Sequence, residues 1–257
     1  MPPLPFFVAY AAIVGLIVGS YLNVVIHRLP RAESTVTPRS RCPHCGAAIR
    51  ALDNLPVVSW LLLGGRCRAC RTPISPRYPL VEALTGILFA GSVLKYGAAA
   101  SAIAAAAFCA AMVALAGIDL EHFLLPDRIT LPGIALGLVL RPWLGWGSVG
   151  SALQGALFGA GLLLTFAGLW KLWKGVDGMG LGDVKMLAMV GAFLGPYGVV
   201  VTLVAASLFG SVVGLALLAH GAVGLGGKLP FGVFLAAGAL LALFAGEPMV
   251  RFYLGLF

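Results

Sequence analysis

The sequence predicts an all-α polytopic membrane protein with about eight transmembrane helices and a small cytoplasmic insert between the first and second. Of its 257 residues, 60% are hydrophobic and only 10% are charged, whereas soluble domains carry roughly 25% charged residues. Several apolar runs approach the roughly 20 residues that a spanning helix needs. This composition excludes a soluble globular protein and a disordered chain, and five cysteines are too few for a disulfide scaffold.

The distribution of positive charge predicts the topology. Nine of the 17 Lys and Arg residues fall between Arg28 and Arg77. Because this basic block lies between apolar spans, the positive-inside rule places it in the cytoplasm. Basic residues interleaved with exposed aromatic and polar groups would be typical of a nucleic-acid surface, so we do not expect a nucleic-acid partner.

The first transmembrane helix is predicted within residues 1–26. Residues 6–26 are apolar, with no Lys or Arg before them and with His27 and Arg28 directly after. A secretory signal peptide carries its positive charges on the opposite flank. We therefore expect a retained spanning helix whose N-terminus lies outside.

Residues 27–78 form the predicted cytoplasmic insert, in which prolines, arginines and four cysteines replace the apolar run. About 50 residues make a small core, so a metal or disulfide staple is expected. Residues 79–257 form the predicted transmembrane domain. Its spans are expected at 80–96, 98–118, 129–146, 151–170, twice within 186–227, and at 229–245.

Two further features of this domain follow from its pattern. As one helix, residues 186–227 would reach about 63 Å, twice the hydrocarbon thickness, so a turn is predicted at Gly195-Pro196. The links 119–128 and 171–185 should face the cytoplasm together with the insert, and both chain termini should lie outside.

The cysteines of the insert predict a structural zinc site. Two C-x-x-C pairs stand 21 residues apart, one residue beyond the usual spacing, and comprise Cys42, Cys45, Cys67 and Cys70. Four thiolates can bind Zn²⁺ tetrahedrally. Two disulfides are the alternative, but they do not persist in the reducing cytoplasm. His44 is a possible alternate ligand, although a solvated surface histidine fits it better, and Cys109 should be a buried small hydrophobe.

Acidic residues at the span ends are candidates for catalysis. Five of the nine acids lie in the two short links; Asp119 ends the third span, and Asp183 begins the sixth. Ionisable groups at membrane depth are costly and usually functional, although both residues could simply mark helix ends in headgroup water. Capping does not explain Asp119, because a helix dipole disfavours negative charge at its C-terminus. The alternating glycines before Asp183 would allow close backbone approach.

Several motifs together resemble the type IV prepilin peptidases, a family of G-x-G-D membrane aspartic proteases. Gly180-Leu181-Gly182-Asp183 matches the G-x-G-D signature, and Asp119 matches the partner aspartate. The stretch from Gly19 to Pro30, the stretch from Arg77 to Glu82 and the paired C-x-x-C insert are similar to further family features. The resemblance covers the whole chain in order.

The resemblance implies a bifunctional enzyme of the bacterial inner membrane. It implies cleavage of the leader from type IV prepilins or type II secretion pseudopilins at the cytoplasmic face, with Asp119 and Asp183 as the catalytic pair in domain 79–257. It also implies methylation of the new N-terminal amine by S-adenosylmethionine. The implied partners are the pilin substrate and membrane lipid, and the Zn²⁺ would be structural.

Two neighbouring carboxyls share a proton, so that one can activate water while the other protonates the peptide carbonyl. Helix dipoles favour the proton on Asp119 and the charge on Asp183. Glu82 either faces a cationic amine or is a buried acid paired with an arginine of the insert. The competing function is a transporter or scaffold with a zinc module, but carriers tend to place ionisable groups near the midplane.

Overall fold

The computed structural model describes residues 3–176, 179–221 and 228–255, and helices are the main secondary structure of this part of the chain. Its α-helices are α1 (Leu4–Arg28), α2 (Val58–Leu62), α3 (Arg77–Tyr96), α4 (Ala100–His122), α5 (Asp127–Trp143), α6 (Val149–Lys174), α7 (Leu181–Ala219) and α8 (Phe231–Leu254). Within the described ranges the only β-pairing consists of two isolated bridges in the insert. The predicted all-α class is therefore confirmed.

Among the described residues, six helices are long and apolar enough to cross a membrane, namely α1, α3, α4, α6, α7 and α8. The protein is thus a multi-pass membrane protein, as predicted. Helix α5 has 17 residues and contains Pro132 and Pro142, and α7 has 39 residues and counts once. The number of eight crossings stays a prediction.

Helix α7 is broken at the predicted turn. Gly195 has φ 75° and ψ −176°, a conformation outside the helical region that glycine adopts without a Cβ clash. Pro196 follows and has no N–H to continue the hydrogen-bond ladder across the break. The helix therefore divides into a first segment, 181–194, and a second segment, 196–219.

Contacts at the two ends of α7 show that it folds back. Gly182 packs against Leu125, and Leu125 in turn packs against Gly232 in the first turn of α8. Near the other end of α7, Gly214 packs against Leu229, two residues before the start of α8. A straight helix would separate Gly182 from Gly214 by about 48 Å. Both ends of α7 therefore lie beside the start of α8, and the predicted turn is confirmed.

Arg141 of α5 caps the break in α7. It is 8% exposed, its Nη1 donates to the carbonyl of Phe193, and its Nε donates to Ser151 Oγ at 3.1 Å. The guanidinium lies so close to Gly195 that a Cβ there would be 2.6 Å from Nη2. Carbonyls in the last turn of a helix have no intrahelical donor, so Arg141 supplies one to the end of the first segment.

The helices group into two compact units, Met1–Ala114 and Leu115–Phe257, and the boundary falls inside α4. In the first unit α1 packs antiparallel on α3, with Gly19 against the backbone of Glu82. In the second unit α7 packs on α5, α6 and α8. Small residues at the crossings allow close backbone approach, as is usual for helices in membranes.

The tightest of these crossings makes a prediction for stability. A Cβ on Gly155 of α6 would lie 2.2 Å from the carbonyl oxygen of Gly191, so Gly155→Ala must push α6 and α7 apart. We expect a loss of about 1–3 kcal/mol in the free energy of unfolding, as for overpacked cores. Gly161→Ala on the same helix is the matched control, because nothing lies within 4 Å of its Cβ position.

Thermal unfolding of the purified protein in detergent measures both variants. Gly161→Ala should match or slightly exceed the parent, since alanine favours helix over glycine. Equal melting temperatures for the two variants would contradict the close crossing of α6 and α7.

Candidate active site and metal centre

Asp119 lies in the last turn of α4 and is 6% exposed. Its Oδ2 accepts a hydrogen bond of 3.2 Å from the N–H of Val233, in the first turn of α8. A Cβ on Gly232 would lie 2.8 Å from the same oxygen. The start of α8 is therefore part of the site. The sequence-based site prediction did not include these residues, although the Pro230-Phe231-Gly232 stretch at the start of the last predicted span was an available signal.

Asp183 lies in the first turn of α7 and is half-buried. Leu125, which is 7% exposed, connects its surroundings to those of Asp119. A Cβ on Gly182 would be 2.9 Å from Leu125 Cβ, and a Cβ on Gly232 would be 3.0 Å from Leu125 Cδ2. The two carboxyls are close enough for the charge of Asp119 to act on Asp183. The structure thus brings the two candidate catalytic residues together.

The surroundings of Asp119 bear on which carboxyl holds the proton. Two adjacent carboxyls do not ionise independently, and their titration belongs to the pair. For Asp119, the predicted placement of the shared proton rests on the C-terminal dipole of α4, which favours the neutral acid there. The N–H of Val233 and the N-terminal dipole of α8 favour a negative charge there. The two helix ends thus act on Asp119 in opposite directions.

A lysine and a second aspartate stand beside this pair. Lys185 Nζ donates to both carboxylate oxygens of Asp127, at 2.7 and 2.8 Å. This bridge joins the start of α7 to the start of α5. Its side chains are 33% and 54% exposed, so its contribution to stability is small. Asp177, a further acid of the link 171–185, lies outside the described residues.

The insert contains two turns of the same design, each built around one C-x-x-C pair. In both turns the N–H of the first cysteine donates to the carbonyl five residues later, at 2.9 Å. A residue with left-handed backbone follows the second cysteine, Gly46 in one turn and Arg71 in the other. An isolated β-bridge closes each turn, pairing Arg41 with Ala48 and Arg66 with Pro73.

These two turns bring four thiols together. The Sγ atoms of the four predicted ligands lie within 4.8 Å of one another, and those of Cys42 and Cys70 are 3.8 Å apart. Zn–S bonds of about 2.3 Å at tetrahedral angles place sulfur atoms about 3.8 Å apart. None of the four forms a disulfide, and His44 is exposed. The cluster could therefore hold a metal ion.

The thiols do not ionise alike without a cation. Hydrogen bonds with the side chain and backbone of Thr72 lower the pKa of Cys70 to about 6, and backbone hydrogen bonds from Cys45 and His44 lower the pKa of Cys42. The pKa of Cys45 rises to about 11: a backbone hydrogen bond from Ala47 opposes the rise, but the neighbouring thiols and desolvation outweigh it. A bound cation would compensate the crowded negative charge.

Glu82 links the insert to α3. It is 8% exposed, and its Oε2 accepts a hydrogen bond of 2.7 Å from the N–H of Val57. Glu82 is therefore a buried acid held to the insert, as one of the two alternatives predicted, and a backbone N–H of the insert bonds it. The arginine partner stays a prediction. Cys109 is fully buried, as predicted.

The comparisons with known proteins agree with this geometry. A family model described as the bacterial peptidase A24 N-terminal domain matches residues 13–96. A second, described as the type IV leader peptidase family, matches residues 106–215, which include both Asp119 and Asp183. No solved structure gives a significant match.

Curated relatives match over nearly the whole chain. A prepilin leader peptidase/N-methyltransferase of Burkholderia pseudomallei (strain 1026b) is 42% identical, over 96% of this chain and 87% of the relative. One of Aeromonas hydrophila is 39% identical, over 93% of this chain and 91% of its own length. One of Pseudomonas aeruginosa is 38% identical, over 96% and 93%.

Proposed function

The chain belongs to the type IV leader peptidase family, and we propose on this premise that it cleaves the leader of a type IV prepilin or type II secretion pseudopilin. The observation that carries the proposal is the meeting of Asp119 and Asp183 beside the first turn of α8. Both residues match the family motif, and relatives named for this activity match over 93–96% of the chain.

The proposed chemistry is that of an aspartic protease. One carboxylate accepts a proton from the attacking water, while the protonated carboxyl donates to the oxygen of the scissile peptide. Gly232 and Gly182 let the backbone approach the pair closely, because a Cβ would lie 2.8 Å from Asp119 Oδ2 at the first and 2.9 Å from Leu125 Cβ at the second. Val233 holds Asp119 in place through its N–H.

We further propose that the enzyme methylates the amine that cleavage exposes, in accordance with the double name of its relatives. S-adenosylmethionine would supply the methyl group. The part of the chain that the structure describes contains isolated β-bridges but no β-strand, so it offers no Rossmann-type strand–glycine–helix site. No residue is assigned to the methyl donor.

The metal proposed for the cysteine cluster is Zn²⁺. The ligand set of four thiolates and the sulfur spacing fit a tetrahedral site. A site closed by four protein ligands is typical of structural zinc, and the insert has little core of its own. Cys42, Cys45, Cys67 and Cys70 would therefore hold a Zn²⁺ that stabilises the fold of residues 27–78.

We place the protein in the bacterial inner membrane with the insert and the aspartate pair facing the cytoplasm. The concentration of Lys and Arg between Arg28 and Arg77 supports this orientation. The transporter or scaffold alternative is not favoured, because the relatives are named as peptidases and the two acids lie at the ends of helices rather than mid-span.

The first test compares the two proposed catalytic aspartates with a neighbouring aspartate outside the pair. Asp119→Asn and Asp183→Asn should each reduce cleavage by about 10²–10⁴-fold or more, since each removes a proton-transfer group. Asp127→Asn is the matched control at the same end of the helices, and it should keep most of the activity. Mass spectrometry of a coexpressed prepilin reports both loss of the leader and gain of a methyl group. Full cleavage by either pair variant would end the aspartic-protease proposal.

The second test concerns the glycine beside Asp119. Gly232→Ala would place a Cβ 2.8 Å from the carboxylate Oδ2, and a displacement of this kind near a reacting group costs up to about 10²-fold in rate. Gly246→Ala on the same helix is the control, because its nearest neighbour would be Ala242 Cβ at 3.8 Å. Cleavage rates in the same prepilin assay should fall for Gly232→Ala only, and equal rates would contradict the proposed geometry.

The third test measures metal. Elemental analysis of the purified parent should find one zinc per chain, and Cys67→Ser should lose it because a tetrahedral site needs all four ligands. Cys109→Ala, a buried cysteine outside the cluster, should keep the metal. Limited proteolysis should cut the insert faster in Cys67→Ser. Parent protein with no zinc and four reactive thiols would rule out the site.

A further inference from the structure

We propose that the insert docks on the membrane interface through a stripe of apolar side chains around α2, which we call the leucine stripe. Apolar residues recur there about every third position and point into solvent, with exposures of 48–81%: Leu52, Leu55, Val58, Leu61 and Leu62. A cytoplasmic module so small would not leave these side chains in water without a surface to cover them.

The other side of α2 is already occupied by the insert itself. Ser59 is buried and its hydroxyl donates to the carbonyl of Leu55. The indole N–H of Trp60 donates to the carbonyl of Ile74 at 3.1 Å, and its ring packs on Gly65. Helix α2 is thus amphipathic in its setting, with Ser59 and Trp60 against the insert and the leucine stripe facing away.

The depth of the chain identifies the surface that covers the stripe. The residue before α2, Val57, donates its N–H to Glu82, which lies about 7.5 Å along α3 from Arg77. Helix α3 is one of the membrane-spanning candidates. The polypeptide therefore reaches the level of a spanning helix in the middle of the stripe, between Leu55 and Val58. At that level, outward-facing leucines meet the boundary between lipid headgroups and acyl chains.

The charge of the insert fits the same partner. Residues 27–78 contain nine arginines and only two acids, Glu33 and Asp53. Asp53 is held by Arg68 in a hydrogen-bonded ion pair at 2.7 Å. Arg50 and Arg66 flank the stripe and are exposed. An apolar strip bordered by arginines is typical of segments that bind an anionic leaflet.

Site-specific fluorescence in nanodiscs that contain phosphatidylglycerol tests this proposal without reference to the peptidase activity. Leu62→Cys carries an environment-sensitive label; at 81% exposure this position tolerates it without loss of packing. Val204→Cys on α7, 55% exposed in a spanning helix, is the lipid reference, and Ala48→Cys, an exposed position beside the first C-x-x-C pair, is the aqueous reference. The parent chain gives the background from native cysteines, and retained metal content confirms that each variant is folded.

The label at position 62 should emit at shorter wavelength than the label at 48. It should be quenched by doxyl groups on the lipids, as at 204, and protected from aqueous iodide. A label at 62 that iodide quenches as readily as at 48 would overturn the proposal. A label at 62 that is shielded from both quenchers and shows energy transfer between labelled chains would also overturn the proposal, because a second copy of the chain would then cover the stripe. Leu61→Cys, in the same stripe, repeats the test if Leu62→Cys loses its metal.

Discussion

The break in α7 is the constraint on which the second unit depends. In hydrocarbon every backbone polar group needs a partner within the protein, so a broken helix is tolerated only where other groups satisfy its free carbonyls. Arg141 does this for Phe193, and its burial is compensated because the same guanidinium also bonds Ser151. The break lets α7 return to its starting side, and this return brings Asp183 to the same end as α8. Without it, the start of α8 would not reach this end, and the N–H of Val233 could not bond Asp119.

The first unit is held by shorter-range interactions. Gly15 and Gly19 let α1 approach the backbone of α3, and the hydrogen bond from Val57 to Glu82 fixes the insert to that pair of helices. Val57 has φ 61°, a left-handed conformation that is unfavourable for a β-branched residue. It persists because Glu82 holds its N–H. A buried acid thus joins a weakly cored insert to a spanning helix.

The sequence predicted the features that depend on local pattern or on family motif. The helical class, the turn at Gly195 and the four clustered cysteines could be read from apolar run lengths, a Gly-Pro pair and C-x-x-C spacing. The contacts of Arg141, Glu82 and Val233 could not, because each joins residues between 25 and 114 positions apart. Periodicity and composition indicate that such a residue is buried or near a span end, but they do not identify its partner. For Glu82 the sequence indicated a buried acid, but not the backbone donor that holds it.

The placement of two helix N-termini explains what the aspartate pair can do. Asp183 lies in the first turn of α7, and Asp119 accepts an N–H from the first turn of α8. Each N-terminus carries roughly half a positive charge, so together they can stabilise about one negative charge. A second charge would have to be accommodated against the repulsion of the first. The pair is therefore suited to hold one proton and one charge, the state that general acid–base hydrolysis requires. Because both carboxyls have an N-terminus beside them, the proton can rest on either, and their roles can exchange as water attacks and the leaving amine is protonated.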